Sequence, residues 1–377
     1  MAFEKIVRIL HGDSPGTSTE LSYYRIGPES ATTKVYLQGA LHADEQPGIL
    51  ILHHLLKLLK AADEAGHLNA VFVVFPMVNP LGMANLTMQK HQGRYDANSG
   101  INFNRGWPNV FSAMDLDLSK LPEGNGVDAV QAAQNQVKSW IDDLPESTAR
   151  EAWRKIILSE SYDADYCFDL HCDDDALIHI YAVPQIADDM HKLAEWTGSA
   201  ATLLAEDSGG GSFDEVWPGF WINLNRETGA DFQITRACTL EYRGNFEVFD
   251  GLNENDALNL YGYFHAEGLI EGESSATRKR VDEPVDLRAM EYLRSDLAGL
   301  IAYQVELGAL VKKGAVIAEM IVLDGEQAFV KRTPIFAGTD GVLFARSVGK
   351  YVWAGAIIAK IAGRELLVER GGYLLGD

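Results

Sequence analysis

The loop after the first buried segment contains a histidine and a glutamate three positions apart. His42 and Glu45 stand in GALHADEQPG, directly after the apolar run KVYLQGAL. An imidazole and a carboxylate at this spacing can converge on one metal ion. The pattern alone is weak, because such pairs also occur in ordinary polar loops, so a metal site requires further ligands.

A third candidate ligand, His171, ends the apolar run DYCFDLHC. Both histidines therefore follow predicted strands, at the sheet edge where open α/β sheets bind ligands. Two imidazoles and one carboxylate leave the fourth position of a zinc site open, as catalytic zinc requires. The alternative is a histidine satisfied by Asp169 or by the aspartates at 173–175, one of which could instead orient the imidazole of a bound ligand.

Strand and helix patterns alternate around these residues. The predicted strands are 34–41, 70–80, 165–172, 177–183 and 237–242. Helical patterns begin at Pro47 and cover 151–161, and the alternation predicts a mostly parallel sheet in an α/β layer fold. The acidic stretch between Trp107 and Pro145 includes a helical pattern at 127–144 and fits a surface excursion.

The pattern changes after about residue 286, where glycines break short apolar runs. Segments 308–320 and 349–361 align so that Gly308 meets Gly349 and Gly314 meets Gly355. This repeat predicts a small all-β domain of two related halves, with domains at 1–285 and 286–377. The pattern resembles the barrel-sandwich fold of biotinyl and lipoyl domains. The connection LDGEQAFVKRTP lacks the Met-Lys-Met signal of those carriers, which favours a structural or lid-like role.

The charge balance restricts the partners. Across 377 residues, 32 Lys and Arg face 54 Asp and Glu, giving a net charge of -22. This argues against a nucleic-acid or membrane surface and requires a local Arg cluster for any carboxylate-bearing small molecule. The sequence shows neither a signal peptide nor an apolar run of roughly 18 residues, so we expect a cytoplasmic protein. The sequence is compatible with assembly into a homo-oligomer.

Four motifs occur in the order found in one hydrolase family. HADE, GRYDANSGINFNRGWP, DLH and TLEYRG make the chain resemble the succinylglutamate desuccinylase/aspartoacylase family, relatives of zinc carboxypeptidases, over roughly residues 30–265. The resemblance implies a carboxypeptidase-like mixed sheet flanked by helices. It also implies zinc-dependent hydrolysis of the amide bond of an N-acyl amino acid.

The resemblance implies roles for seven residues: the zinc ligands His42, Glu45 and His171, the carbonyl-polarising Arg94, the carboxylate-binding Asn104 and Arg105, and the general base Glu241. Asn102 departs from the family pattern, which commonly has Asp there. The structural alternatives are a loop salt bridge for Arg94 and an ion pair with Arg243 for Glu241.

Two other functions remain open. A zinc carboxypeptidase acting on a small peptide would use the same metal, base and arginine. A non-catalytic relative would keep the fold without turnover, although the presence of every motif, including Glu241, argues against such decay.

Overall fold

The computed structural model of the chain describes residues 3–326, 328–367 and 373–375. The strands of its larger part are β1 (Glu4–His11), β2 (Ser18–Ile26), β3 (Thr33–Gly39), β4 (Ala70–Phe75), β5 (Leu86–Thr87), β6 (Lys90–His91), β7 (Tyr166–Asp173), β8 (Asp175–Ala176), β9 (His179–Ala182), β10 (Ala201–Leu204), β11 (Arg236–Gly244) and β12 (Val285–Asp286). The α-helices are α1 (Pro47–Glu64), α2 (Pro80–Met83), α3 (Val110–Ala113), α4 (Val127–Asp142), α5 (Ala149–Ser161), α6 (Ala187–Thr197), α7 (Val216–Thr228) and α8 (Asp250–Ala266). Short 3₁₀ turns cover Leu118–Lys120, Pro184–Ile186, Phe213–Glu215 and Leu287–Ala289.

The described residues form one large mixed sheet with the strand order β1-β2-β4-β3-β7-β11-β9-β10-β12. Its central strands β4, β3, β7 and β11 run parallel, whereas β9 is antiparallel to β11. This confirms the mixed α/β fold with flanking helices. The central strands are nearly continuous apolar runs because helices cover both faces of the sheet.

Two apolar clusters fill the space between the sheet and its helices. One lies under α1, α6 and α8, and the other under α4, α5 and α7. The predicted surface excursion belongs to the second: α4 buries the stripe Ala129, Ala133, Val137 and Ile141 against it. None of residues 108–145 lines the site cavity described below. The excursion therefore covers the sheet and leaves the site untouched.

The C-terminal strands are β13 (Met290–Arg294), β14 (Gly299–Tyr303), β15 (Leu310–Val311), β16 (Val316–Ile321), β17 (Arg332–Phe336), β18 (Gly341–Arg346), β19 (Tyr351–Val352) and β20 (Ile357–Gly363). The sequence repeat appears here strand for strand, with β14–β16 matching β18–β20. Each half gives its short middle strand to the other, because β15 pairs with β18 and β19 pairs with β14. The aligned residues Ile317 and Ile358 are both fully buried in one shared cluster.

The C-terminal strands are attached directly to the larger part. β8 pairs antiparallel with β18, and Arg346 donates to Asp175 at 2.9 Å. A further apolar cluster contains Tyr181 and Leu203 from the larger part together with Phe344 from β18. The large sheet ends at β12 and the C-terminal sheets begin at β13; the domain boundary at 285/286 stays a prediction.

The three cysteines, Cys167, Cys172 and Cys238, are buried and unpaired. Within the described ranges, we find no helix with the length and apolarity needed to cross a bilayer.

Candidate active site

The loop between β3 and α1 places His42 and Glu45 side by side. It opens with a left-handed residue, Ala40 (φ 58°), and a turn in which the Glu45 amide donates to the His42 carbonyl at 3.0 Å. The first turn of α1 lies against β7 so closely that a Cβ on Gly48 would be 3.0 Å from the Leu170 carbonyl oxygen. This close approach brings the loop next to His171.

A second loop, residues 93–105, supplies Arg94, Asn102, Asn104 and Arg105. A Cβ on Gly93 would lie 2.4 Å from the Asp44 amide nitrogen, so only glycine permits this loop to pack on the first. The chain then folds back, with Tyr95 bridged to Asn102 and the Phe103 amide donating to the Arg94 carbonyl. This hairpin explains how residues 102–105 return to Arg94.

The carboxylate of Glu45 bridges the two imidazoles. Its Oε1 lies 2.9 Å from His42 Nδ1, and its Oε2 lies 2.7 Å from His171 Nδ1. The Cys172 amide also donates to Oε2 at 3.2 Å. All three residues are buried, and one ligand atom from each lies within 4.8 Å of the others. The group could therefore hold a metal ion, as the sequence predicts.

Asn102 fixes the tautomer of His42. Asn102 Oδ1 lies 2.7 Å from His42 Nε2 and also accepts the Asn104 amide at 2.8 Å. Because the amide can only donate, the Asn102 atom is the oxygen, so His42 Nε2 carries the proton and Nδ1 carries a lone pair. Burial, reinforced by Arg94, lowers the pKa of His42 to about 4. A neutral imidazole is the form that binds metal.

His171 stands between two carboxylates. Its Nδ1 faces Glu45, and its Nε2 lies 2.9 Å from Asp169 Oδ2. Burial alone would lower the pKa of His171, but Asp169 and Glu45 raise it well above its ordinary value. The charge of Asp169 favours a proton on His171 Nε2, so a metal could replace the proton on Nδ1, an exchange typical of metal binding.

Arg94 contacts two members of the ligand group, which consists of His42, Glu45 and His171. Its Nη1 donates to Glu45 Oε1 at 2.9 Å and to His42 Nδ1 at 3.2 Å. Burial alone would raise the pKa of Glu45, but His42 and His171 hold it well below its ordinary range. Arg94 therefore forms the salt bridge named as its structural alternative, and its partner is Glu45, a candidate metal ligand.

Glu241 lies beside the ligand group on the neighbouring strand. In the sheet it is directly opposite His171 on one side and His179 on the other. Burial and the charge of Glu45 raise the pKa of Glu241 to about 8, and its Oε2 is buried without a hydrogen-bond partner. An ion pair with Arg243 does not form.

Arg243 is directed elsewhere by a change in the backbone. It adopts a left-handed conformation (φ 60°) at an irregularity near the end of β11. Its guanidinium pairs with Asp256 and Glu247 instead. The structural alternative for Glu241 is therefore wrong, and its carboxylate is directed into the cavity.

Asn104 and Arg105 form another part of the cavity wall. Asn104 Oδ1 accepts the Phe213 amide at 2.9 Å, which anchors the hairpin to the turn before α7. Arg105 donates to the Asn104 carbonyl and lies against Gly210, where a Cβ would be 2.8 Å from Arg105 Cδ. The structure thus brings both predicted carboxylate-binding residues to the cavity.

One cavity of about 410 Å³ contains all seven predicted residues. Its wall also includes Tyr292, Arg346 and Lys360 from the C-terminal strands, none of which the sequence singled out. Asn102 was visible only as a departure from a motif, and Asp169 only as one of several neighbouring acids. No local pattern marks Lys360, because its partner lies far away in the chain.

Comparisons with known proteins concern the sequence and the fold. Residues 31–215 match the model of the succinylglutamate desuccinylase/aspartoacylase catalytic domain, which confirms the resemblance. No curated protein matches the chain.

Solved structures share the fold across nearly the whole chain. A succinylglutamate desuccinylase/aspartoacylase candidate from Shewanella frigidimarina NCIMB 400 has a TM-score of 0.77 at 19% identity, covering 96% of this chain and 97% of that one. A family protein from Shewanella amazonensis SB2B gives 0.77 at 20%, covering 95% and 98%. The product-bound ectoine utilization protein EutE (DoeB) from Ruegeria pomeroyi gives 0.60 at 18%, covering 96% and 94%. At these identities the similarity concerns the fold.

The ligand group predicts one tightly bound divalent metal ion per chain. His171→Ala removes one of two imidazoles and should abolish stoichiometric binding, whereas His53→Ala, on the exposed side of α1, should not. Elemental analysis of the proteins after zinc reconstitution and desalting measures this. A His171→Ala protein that keeps a full equivalent would disprove the assignment.

The contact between Asn102 and His42 predicts an effect on affinity. Asn102→Leu removes the acceptor for His42 Nε2 and should weaken metal binding about 10- to 100-fold, as loss of an orienting partner typically does. Chelator competition measures the dissociation constant. Asn98→Leu, in the exposed tip of the same hairpin, is the control, and equal constants for the two variants would contradict the role of Asn102.

Proposed function

We propose that this chain, whose residues 31–215 match the model of the succinylglutamate desuccinylase/aspartoacylase catalytic domain, is a zinc-dependent amidohydrolase acting on an N-acyl amino acid. The observation that carries the proposal is the convergence of two imidazole Nδ1 atoms, the Glu45 carboxylate and the unpartnered Glu241 oxygen in one cavity. A structural zinc site would use a fourth protein ligand, whereas Glu241 lies in the same cavity but outside the group of ligand atoms that could hold the ion.

The donor set fits zinc. Two nitrogen ligands and one carboxylate form a three-ligand group, and Asn102 and Asp169 lie at the imidazole nitrogens that face away from Glu45. Zinc at this position would lower the pKa of bound water to about 7 and polarise the amide carbonyl. His42, Glu45 and His171 would hold it.

The neighbouring residues provide the proton transfer and the polar contacts. Glu241 would accept a proton from the attacking water at its free Oε2 and deliver it to the leaving nitrogen, so that the amide yields a carboxylic acid and an amine. The raised pKa of Glu241 suits this exchange. A bound zinc ion would lower that pKa, because its positive charge opposes the effect of the Glu45 carboxylate. Arg94 can donate to the scissile carbonyl.

Asn104 and Arg105 would bind the carboxylate of the amino acid. A guanidinium can form two parallel hydrogen bonds to a carboxylate, and in a protein of net charge -22 it supplies the necessary local attraction. The Asn104 side chain is anchored by the Phe213 amide, and the Asn104 carbonyl accepts a hydrogen bond from Arg105 that positions the Arg105 side chain.

The cavity size favours a small substrate over a peptide. Its volume of about 410 Å³ lies near the lower end of ligand pockets, and the C-terminal strands form part of its wall. These features support the N-acyl amino acid over the carboxypeptidase alternative.

We further infer that the two C-terminal sheets form the barrel-sandwich domain indicated by the repeat. On sequence grounds we also infer that the protein is cytoplasmic.

Arg105→Ala should selectively impair substrates with a free α-carboxylate. Loss of a charge-assisted bidentate contact should raise the activation free energy derived from kcat/KM by about 2–4 kcal/mol for the acid, and by much less for its methyl ester. Steady-state kinetics on the matched acid and ester test this. Arg226→Ala, a half-exposed arginine outside the cavity, is the control. Equal losses on acid and ester would remove Arg105 from this role.

Glu241→Gln should retain the fold and the zinc but lose turnover. Glutamine is nearly isosteric, and general acid–base groups contribute on the order of 100- to 10,000-fold to the rate. Measurements of kcat, zinc content and melting temperature on one preparation separate catalysis from stability. Glu247→Gln, at an acid that pairs with Arg243 outside the cavity, should keep normal kcat. An undiminished kcat in fully metallated Glu241→Gln would falsify the general-base assignment.

A further inference from the structure

Lys360 carries an ammonium group from the C-terminal strands into the cavity. It lies on β20, and its Nζ forms an ion pair with Asp173 Oδ2 at the end of β7. Its Nζ also lies 5.9 Å from the centre of the Tyr292 ring. Lys360 and Asp173 both line the cavity that holds the ligand group. The two parts of the protein therefore meet in an ion pair at the site.

Asp173 is one pleat beyond a proposed metal ligand. It follows His171 by two positions on the same strand, so both side chains face the same side of the sheet at a separation of about 7 Å. On the neighbouring strand β11, Glu241 pairs with His171 and Gly244 pairs with Asp173. Asp173 is thus a carboxylate close to the ligand group that does not belong to it.

Donors already engage both oxygens of Asp173. The Asp174 amide donates to Oδ1 at 2.8 Å, and Lys360 holds Oδ2. His179 Nε2 lies 3.6 Å from Oδ2, but His179 Nδ1 contacts the Leu177 carbonyl at 2.8 Å, so Nδ1 carries the proton and Nε2 a lone pair in the neutral ring. Lys360 is therefore the cation that balances the Asp173 charge.

The need for this balance follows from the coordination of zinc. A catalytic site has three protein ligands and must keep its fourth position open, and a carboxylate oxygen is a good zinc ligand. A released Asp173 would compete for that position and convert a catalytic site into a closed one.

We propose that Lys360 is a positioning residue that holds Asp173 away from the metal, so that the C-terminal strands keep the coordination sphere open. This inference rests on the proposed function, since it assumes zinc at His42, Glu45 and His171. It gives the C-terminal strands a role in the chemistry of the site beyond forming its wall.

Three variants of the full-length chain test the proposal. Lys360→Met removes the ammonium and keeps most of the aliphatic stem, and Lys360→Met/Asp173→Asn removes the competing carboxylate as well. Lys312→Met is the control, because Lys312 is exposed on the same unit and pairs with Asp340. The measurements are zinc affinity by chelator competition, the visible spectrum of the cobalt(II)-substituted protein, kcat and KM.

Lys360→Met should lower kcat at least about tenfold in zinc-loaded protein, with a much smaller change in KM. Its zinc affinity should rise, and its cobalt spectrum should change as a further ligand binds. The double variant should return kcat, affinity and spectrum to near the parent values. A purely structural role for Lys360 would instead lower zinc content or stability, without rescue by Asp173→Asn.

The outcomes separate this inference from the proposed function. A parent protein without zinc or hydrolytic activity would contradict the proposed function itself. In an active, zinc-loaded parent, an unchanged kcat in Lys360→Met would overturn only the role of Lys360. If Lys360→Met fails to fold, the kcat of the double variant tests the role of Lys360, because that variant has no uncompensated buried charge. A folded, zinc-loaded double variant with less than about a tenth of the parent kcat would also overturn it.

Discussion

The close contact between the Glu45 carboxylate and the two imidazole nitrogens is the interaction on which the site depends. Glu45 offers only acceptors, and Asn102 leaves His42 Nδ1 with a lone pair at 2.9 Å from Glu45 Oε1. Two acceptors at this distance repel unless a proton or cation lies close to both. In the structure Arg94 provides donors to both atoms, and His171 provides a proton to the other oxygen. A metal ion would satisfy all three groups at once.

The fold holds these groups together at points of close backbone contact. Gly48 lets α1 approach β7, and Gly93 lets the second loop lie on the first. The Gly93 contact leaves no room for a side chain and the Gly48 contact would be tight for one, so main-chain packing brings the segments that carry His42, His171 and Arg94 together. The sheet adds Glu241, because the parallel pairing of β11 with β7 places it opposite His171.

Charge balance explains why the C-terminal strands belong to the site. The cavity wall is rich in carboxylates, including Asp173, Asp214 and Glu241, as expected for a chain of net charge -22. The C-terminal strands contribute Lys360 and Arg346, which pair with Asp173 and Asp175 on and just after β7. Since β8 and β18 also share a sheet, the two parts are joined by backbone hydrogen bonds as well as by charge.

The sequence by itself determined the main elements and the residues that could bind a metal. Apolar runs located β3, β4, β7 and β11, Pro47 marked the start of α1, and the motif order identified His42, Glu45 and His171. These features are local, because the periodicity of a strand and the chemistry of a donor are properties of a few neighbouring residues. The same holds for the C-terminal repeat.

Only the tertiary structure decided how polar groups pair. Asn102 is 60 positions from His42, and Lys360 is 187 positions from Asp173, so no local pattern relates them. Arg243 was a reasonable partner for Glu241 by spacing, but a left-handed residue at the end of β11 turned it to Asp256. Such pairings depend on where separate elements pack and on single backbone angles, and a sequence pattern specifies neither.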